Sequence, residues 1–583
     1  MRRPLLVEII FYAALAAALL FMGWRRWADP WMDFGREVLI ARRISEGGLF
    51  GRDILHLFGP LSGHLNGAAF RIAGPSLRTL FALNLAVLVL ILAAGRYLLG
   101  RIAVRSAAAA ATLVSLPVFC LGRIGAVGSF NYVAPYSHEL VHGYLLALAS
   151  MILANEAAER ERAGWAFLAG CAAGGLLLTK YEMILAGLPA VAFLLAAPPG
   201  RRSGRIAAAL LAGLAVAPGI FFVCYTAALG PRGAAEAVFG SLVLPARASV
   251  SGYFYRSGLG FDQPAHRLLE IARSTSALAI ALLALSLAGR AHRRILRDRG
   301  RRVLPAVFFL LFLAGGVWVF PVLDLARVLP ISTALFFLAS LFAWRRTSDP
   351  RERLAAAYSL FALLLLAKML LYPRFHQYGF ILAAPATACL IVAILDRLPR
   401  VVRLHAPDSA RALRAGFAGV LAALMVKWTI FSWNGFRAEN LPIGRGPDRI
   451  FVSAEGNPRG NFALAHDLVL EHVPPEATLA VLPEGGLINQ TTGRRSPLSP
   501  PNFMPAEILV FGEEKILGEL AKSSPDYILI HNRPMVEYRM LGFGRDYGKR
   551  ITRWVQDEYY PVDGYGTVPL EFNKQGAILL RRR

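Results

Sequence analysis

The chain has 583 residues, of which 56% are hydrophobic, and its formal net charge is +25 at pH 7. This composition excludes an ordinary soluble enzyme. The excess of Arg and Lys would suit a nucleic-acid partner, but the placement of these residues, described below, excludes one.

Apolar runs recur from residue 5 to residue 432, and their length of about 17–22 residues is enough to span the hydrocarbon core of a bilayer. No small-x-small cleavage site follows the first run, because Trp24-Arg25-Arg26-Trp27 comes next, so we interpret it as an uncleaved first span. We predict thirteen spans, at 5–24, 79–99, 106–122, 140–155, 164–180, 184–198, 206–229, 269–289, 303–320, 327–344, 354–372, 378–396 and 412–432.

The loop between the first two spans, residues 25–78, is too long and too patterned to be a simple connection. Asp29-Pro30 is typical of a helix start, and Gly47-Gly48 is typical of a helix end. Pro60 begins a second pattern that Gly74-Pro75 closes. The loop therefore predicts two short amphipathic helices near the membrane surface.

Two acids on the first of these helices stand out. Asp33 and Glu37 are four residues apart and so share one helix face, with Arg36 beside them. Three interpretations stay open at this point: a helix cap at Asp29, a solvated face carrying Asp33 and Glu37, or a catalytic carboxylate on that face.

The basic residues indicate the orientation of the spans. If the N-terminus is cytoplasmic, the cytoplasmic connections are all Arg-rich, whereas the opposite short connections carry single cations such as Arg123, Arg327 and Arg374. The Arg-rich connections are 100–105, 156–163, 199–205, 290–302, 345–353 and 397–411. The positive charge therefore reflects topology and contact with anionic membrane lipids rather than binding of nucleic acid.

The composition changes at Asn434, which divides the chain into a membrane domain (1–433) and a polar domain (434–583) outside the membrane. Strand patterns at 478–483, 526–531 and 577–580 alternate with helical patterns at 461–472 and 513–522. This alternation predicts a small α/β domain. A cover over a membrane site and a stabilising appendage are both compatible with this pattern.

The predicted topology collects polar residues at the outer ends of the spans. Ionisable groups at membrane depth are costly, so such a cluster indicates a functional site. A mixture of carboxylates and cations suits activation of a hydroxyl acceptor beside a phosphate leaving group. The candidate substrate-binding residues are Asp53, Arg123, Tyr136, His138, Glu139, Lys180, Glu182, Arg327, Arg374, His376 and Tyr378.

Several of these residues have other interpretations. Lys180 and Glu182 suit an ion pair within a turn, and Arg374 and His376 suit side chains that extend to the headgroups. His138, Glu139 and His142 form a weak metal pattern, so we predict no metal ligands and no cofactor, while a divalent metal stays open. No Gly-rich phosphate loop is present, which argues against a soluble nucleotide donor.

Several segments resemble, in the same order, bacterial members of the GT-C superfold, in the family-39-like group of protein mannosyltransferases and aminoarabinose transferases. In the opening loop they are PWMDFGRE with Asp33, FGRDI with Asp53 and GPLSGHLNGAAFRIAGPS. Later segments are FNYVAPYSHELVHGY, LLLTKYEMILA and RFHQYGFILAAPA. The resemblance implies a GT-C-like membrane bundle, a polyprenyl-phosphate sugar donor from the outer leaflet, and a catalytic Asp that aligns with Asp33.

One departure from the family pattern affects the choice of base. Many members have a second acid beside the catalytic Asp, whereas Met32 and Phe34 flank Asp33 here and Glu37 lies a turn away. Asp33 and Glu37 therefore both stay candidates. Lys180, Arg374 and Arg327 are the candidates for stabilising the phosphate.

The sequence thus predicts an inverting glycosyltransferase of the cytoplasmic membrane. Its acceptor would be a hydroxyl of a lipid, glycan or protein on the outer side. A transporter or flippase of a lipid-linked glycan is the main alternative, and it predicts internal repeats and charges buried mid-span. A non-catalytic assembly protein is the third.

Overall fold

The computed structural model describes residues 2–123, 125, 128–196, 203–247, 252–295, 298–319, 324–403, 407–454, 461–566 and 576–583. Most of the predicted basic connection 199–205 lies outside these residues. The part up to Ala438 is helical, and two small β-sheets with intervening helices follow it.

Eighteen described helices form the membrane part. They are α1 (Arg2–Gly23), α2 (Phe34–Ser45), α3 (Leu61–Ala73), α4 (Leu77–Ile102), α5 (Arg105–Ser115), α6 (His138–Arg160), α7 (Ala163–Leu177), α8 (Tyr181–Leu195), α9 (Ser203–Arg247), α10 (Tyr253–Leu259), α11 (Pro264–Ile295), α12 (Asp298–Val319), α13 (Asp324–Thr347), α14 (Pro350–Leu366), α15 (Gly379–Leu382), α16 (Ala384–Val392), α17 (Leu398–Arg403) and α18 (Pro407–Ala438). Single π or 3-10 turns extend α5, α14 and α16 at Leu116–Cys120, Ala367–Met369 and Ala393–Arg397.

The predicted number of spans is not confirmed. Within the described residues, 8 helical stretches are long and apolar enough to cross a membrane. Four further predicted spans coincide with shorter apolar helices, at Arg105–Cys120, Ala163–Leu177, Tyr181–Leu195 and Pro305–Gly315. The remaining predicted span, 354–372, coincides with α14. The helical, multi-pass character of this part is therefore clear, whereas thirteen full crossings remain a prediction.

The opening loop forms the two predicted helices, α2 and α3, which pack against each other. Phe34, Val38, Ala41 and Ile44 recur at helical spacing on α2 and are all buried. Helix α3 follows Pro60 and ends at Gly74, whose φ of 85° lies in the left-handed region that favours glycine.

The interpretation of Asp29 as a helix cap is wrong, because α2 begins only at Phe34. The Asp29 carboxylate instead accepts hydrogen bonds from the backbone N–H groups of Trp31 (3.0 Å) and Met32 (3.1 Å). It also accepts one from Gly128 N–H at 2.7 Å. Asp29 thus holds the turn before α2 against the connection that precedes α6.

The helix ends predicted to be cytoplasmic carry a network of matched ion pairs. The Asp396 carboxylate lies between Arg351 (3.3 Å) and Arg400 (2.8 Å), and it also accepts a hydrogen bond from Val104 N–H at 3.1 Å. Glu8 on α1 pairs with Arg96 at 2.9 Å and with Arg105. These pairs tie α1, α4, α5, α14 and the end of α16 together.

The C-terminal region continues directly from α18. Strand β1 (Glu439–Ile443) pairs antiparallel with β2 (Ile450–Ser453). The second sheet has the order β3-β4-β6-β5, in which β3 and β4 are parallel and the other pairs are antiparallel. Its strands are β3 (Leu479–Leu482), β4 (Tyr527–His531), β5 (Tyr559–Gly566) and β6 (Gly576–Arg582).

The helices of this region surround the second sheet. They are α19 (Phe462–His472), α20 (Leu487–Thr492), α21 (Pro505–Phe511), α22 (Glu513–Ser523) and α23 (Lys549–Glu558). The three predicted strands correspond to β3, β4 and β6, and the two predicted helices to α19 and α22, so the predicted α/β character is confirmed. Helix α20 packs against α2, which places this region over the opening loop.

Candidate active site

Arg36 links the two candidate acids of the opening loop. Its guanidinium lies 2.8 Å from an Asp33 oxygen and 2.9 Å from a Glu37 oxygen. It also donates a hydrogen bond to the backbone carbonyl of Tyr136 at 2.9 Å. The Asp33 side chain is 25% exposed and that of Glu37 only 1%, so the solvated-face interpretation is wrong for Glu37 and Asp33 is the accessible acid.

Burial disfavours the ionised form of Glu37. It raises the pKa of this carboxyl, and the neighbouring Glu139 raises it further, while Arg36 opposes both effects.

Glu37 also belongs to a buried trio with His56 and Glu139. Each residue offers one potential metal ligand atom, and these atoms lie within 4.8 Å of one another. His56 Nε2 lies 3.0 Å from Glu139 Oε1, and the Ser137 hydroxyl donates to the other Glu139 oxygen at 2.7 Å. Two carboxylates and an imidazole form a donor set that fits a divalent cation.

Of the predicted metal pattern of His138, Glu139 and His142, only Glu139 belongs to this trio. The ring nitrogens of His138 lie within hydrogen-bond distance of the Asn66 amide (2.5 Å) and the Asn84 amide (3.0 Å). His142 Nδ1 lies 3.0 Å from the Ser62 hydroxyl. These contacts join α6 to α3 and α4. His56 supplies the imidazole instead, from a loop that is distant in sequence.

Lys180 lies in the connection between α7 and α8, buried among aromatic rings. Its ammonium is 3.9 Å from the ring centroid of Phe58, 5.4 Å from Tyr136 and 5.9 Å from Tyr378. Within the described part of the chain it forms no hydrogen bond or ion pair. Burial lowers the pKa of Lys180 to about 8, although Glu139 opposes the shift. Lys180 can thus bind an anion without first breaking an existing ion pair.

The predicted ion pair between Lys180 and Glu182 is wrong. Helix α8 begins at Tyr181, which places Lys180 before its first turn and Glu182 within it. Glu182 pairs instead with Lys368, which follows α14. Lys368 was not among the predicted site residues, although a lone Lys in the apolar run LLLLAKML is the kind of signal that could have identified it.

Tyr378 is close to both lysines, since its ring centroid is 4.1 Å from the ammonium of Lys368 and 5.9 Å from that of Lys180. An apolar pocket with a volume of about 260 Å³ lies beside Lys368 and Tyr378. Its lining includes Tyr181, Phe254, Tyr255, Leu364, Lys368 and Tyr378. The site thus combines cations and an apolar cavity at one end of the helices.

A second basic group surrounds Tyr372. The guanidinium groups of Arg267, Arg327 and Arg374 lie 3.8, 4.5 and 4.7 Å from its ring centroid. Arg327 also pairs with Glu270 at 3.3 Å.

The headgroup interpretation of Arg374 is wrong, because Arg374 is buried and donates to the carbonyls of Gly258 (3.1 Å) and Tyr372 (3.0 Å). His376 is half-buried nearby, and burial, helped by Arg374, lowers the pKa of its imidazole to about 4.

Two predicted site residues, Asp53 and Arg123, have their described contacts outside the group around Arg36 and Lys180. Asp53 pairs with the exposed Arg52 at 2.8 Å and accepts a hydrogen bond from Leu49 N–H at 2.9 Å, which closes a local turn. Arg123 pairs with Glu439 at the start of β1.

The C-terminal region contributes groups that we did not predict. Glu507 on α21 is buried, and its carboxyl interacts electrostatically with Arg36 and Asp33. Burial raises the pKa of Glu507 to about 7, although Arg36 opposes the shift. The His531 ring stacks on Trp31 with centroids 3.9 Å apart. No sequence pattern marks these residues, because only tertiary packing brings them to the opening loop.

Comparison with known proteins identifies the fold. No family model matches the sequence, and no curated protein matches it. The apo oligosaccharyltransferase of Archaeoglobus fulgidus is 15% identical with a TM-score of 0.50, and the match covers 96% of this chain and 73% of that enzyme. This similarity shows that the chain shares the fold of that enzyme, in agreement with the predicted GT-C-like helical bundle.

Two further solved structures are similar at slightly lower scores. A complex of the same archaeal enzyme with Zn and sulfate is 14% identical with a TM-score of 0.48, covering 89% of this chain and 67% of that one. ArnT from Cupriavidus metallidurans bound to undecaprenyl phosphate is 14% identical with a TM-score of 0.49, covering 98% of this chain and 97% of ArnT.

Proposed function

We propose that this chain is a glycosyltransferase that moves a sugar from a polyprenyl-phosphate-linked donor to a hydroxyl acceptor, with inversion at the anomeric carbon. Transfer takes place at the outer face of the cytoplasmic membrane. The N-terminus is then cytoplasmic, and the region 434–583 lies outside and covers the site. The acceptor is a lipid, glycan or protein.

One observation carries this proposal: the buried Lys180 forms no ion pair among the described residues, and it lies 5.4 Å from the ring of Tyr136. The carbonyl of Tyr136 accepts a hydrogen bond from Arg36, which pairs with the partly exposed Asp33. A cation without a partner suits a phosphate, and a carboxylate nearby suits a hydroxyl acceptor. The adjoining apolar pocket suits the first part of a polyprenyl tail.

We propose the following roles for these residues. Asp33 takes the proton from the acceptor hydroxyl as that oxygen attacks the anomeric carbon, and the bond from this carbon to the phosphate oxygen breaks. Arg36 orients Asp33, and Lys180 stabilises the charge that the departing phosphate gains. Glu37, His56 and Glu139 would hold a divalent cation, which when bound adds positive charge beside the reacting groups.

The test is transfer of label from a radiolabelled polyprenyl-phosphate sugar pool to acceptor in membranes, with variants at equal expression. Loss of general-base catalysis costs about 10²–10⁴-fold, so we expect Asp33→Asn to lower transfer by at least about 10²-fold while donor binding is kept. Glu46→Gln, an exposed acid of the same loop, is the matched control.

Full transfer by Asp33→Asn would remove Asp33 as the base, and loss by Glu37→Gln with retained donor binding would then assign that role to Glu37. Movement of the labelled lipid across the membrane without a new glycosidic bond would instead identify a flippase.

A further inference from the structure

Glu507 differs from the other buried acids near the opening loop. It lies on α21 and is buried, yet its Oε2 has no hydrogen-bond partner among the described residues. By contrast, Glu484 of the same region forms an ion pair with Arg533. A buried carboxyl oxygen without a partner is costly, so it is a strong candidate for a ligand contact.

The one cation whose charge acts on Glu507, Arg36, forms no ion pair with it among the described contacts. Arg36 interacts with it electrostatically, but the guanidinium is already bonded to Asp33, Glu37 and the Tyr136 carbonyl. No ion pair of Glu507 with Arg36 or with any other described residue exists. The free oxygen is therefore left for a group that is not part of this chain.

The neighbours of Glu507 show which part of a donor would reach it. Its carboxyl interacts electrostatically with Asp33, the proposed base, and with Tyr538. The Tyr538 ring stacks on Phe254 with centroids 4.6 Å apart, and Phe254 lines the apolar pocket together with Lys368 and Tyr378. The surroundings of Glu507 thus connect the proposed base with the pocket beside the cations.

In an inverting transfer, the acceptor and the leaving phosphate occupy opposite faces of the anomeric carbon. The sugar ring must therefore lie between Asp33 and the lysines. A carboxyl group does not favour the phosphate itself, because like charges repel, but it is a good acceptor for hydrogen bonds from ring substituents.

On the basis of the proposed function, we propose that Glu507 binds the transferred sugar by accepting a hydrogen bond from a hydroxyl or amino substituent of its ring. The C-terminal region then supplies a specificity-determining residue of the site. The phosphate and the lipid tail do not depend on this contact.

The experiment measures the affinity of the purified full chain for three probes: undecaprenyl phosphate, undecaprenyl-phosphate-glucose and undecaprenyl-phosphate-glucosamine. We expect Glu507→Gln to bind undecaprenyl phosphate within about twofold of the unsubstituted chain and to bind a sugar-bearing probe about tenfold more weakly, as for one lost charged hydrogen bond. A larger loss with the amino sugar would identify an amine as the donor, and a larger loss with glucose a hydroxyl.

Two variants make the result specific. Glu471→Gln, an exposed acid on α19, should bind all three probes as the unsubstituted chain does. Lys180→Met should weaken all three alike, because each carries the phosphate. Melting temperatures are measured in parallel. A purely structural effect of Glu507→Gln would lower its melting temperature but leave its preference for sugar-bearing lipid unchanged.

The inference is overturned if Glu507→Gln keeps the full preference for sugar-bearing probes, or if the unsubstituted chain has no such preference. If the unsubstituted chain does not bind undecaprenyl phosphate at all, the proposed function itself fails. The two failures are therefore distinguishable.

Discussion

The two ends of the helical bundle use charge in opposite ways. At the end predicted to be cytoplasmic, the fully buried Asp396 is matched by Arg351, Arg400 and a backbone N–H group. At the other end, Lys180 is buried without a described anionic partner, and one oxygen of Glu507 has no hydrogen-bond partner. Both ends contain buried charge, but the Asp396 carboxylate is paired with two guanidinium groups, whereas Lys180 has no ion pair among the described residues.

The difference separates structural from functional charge. A buried charge that is fully paired contributes to holding helices together, because removing its partner leaves an uncompensated charge behind. A buried charge without a partner lowers stability and persists where a ligand completes it. We therefore expect substitutions at the end with Asp396 to change stability and those at the end with Lys180 to change binding and transfer.

The largest effect on stability is expected for Asp396→Asn. The substitution removes the buried carboxylate that Arg351 and Arg400 share. Because both guanidinium groups are partly exposed, we expect a cost of about 1.5–3 kcal/mol, as for lost hydrogen bonds to a charged group. The melting temperature in detergent should fall clearly, whereas transfer per folded molecule should be unchanged. Loss of transfer at an unchanged melting temperature would contradict the division between the two ends.

The pH dependence of donor binding should come from Lys180. Its pKa of about 8 lies below the usual value for lysine, so the cation is present below pH 8 and is lost as the pH rises through this value. Between pH 7 and pH 9 the charged fraction of the free protein falls about tenfold. The affinity for undecaprenyl phosphate should weaken over this range by up to the same factor, as measured in a binding titration.

Lys180→Arg is the matched variant for this prediction, because a guanidinium stays charged throughout the range. Its affinity, whatever its value at pH 7, should be flat up to pH 9. If the affinity of Lys180→Arg falls with pH as steeply as that of the unsubstituted chain, a group other than Lys180 titrates in this range.

The smallest effect on stability is expected for Glu8→Gln, at the same end of the bundle as Asp396. Glu8 pairs with Arg96 and Arg105 at the partly exposed surface of the bundle, where an ion pair contributes at most about 1 kcal/mol. The melting temperature should fall slightly and transfer should not change. A fall as large as that of Asp396→Asn would show that burial is not what distinguishes the two pairs.

The sequence by itself determined the local features. Apolar run lengths located the helices, because a bilayer requires hydrophobic stretches of defined length. The helical period of Phe34, Val38, Ala41 and Ile44 identified the buried face of α2, and alternating strand and helix patterns identified the C-terminal α/β region. Asp33 and Glu37 were found because both lie in one short stretch.

Only the tertiary structure decided which distant residues meet. His56 lies in one group with Glu37 and Glu139, although it is far from Glu139 in the sequence, and Lys368 rather than Lys180 pairs with Glu182. Glu507 reaches the opening loop from a region more than 450 positions further along the chain. Hydrophobic periodicity fixes which face of an element is buried, but side-chain partners depend on how the elements pack, and no local pattern encodes that arrangement.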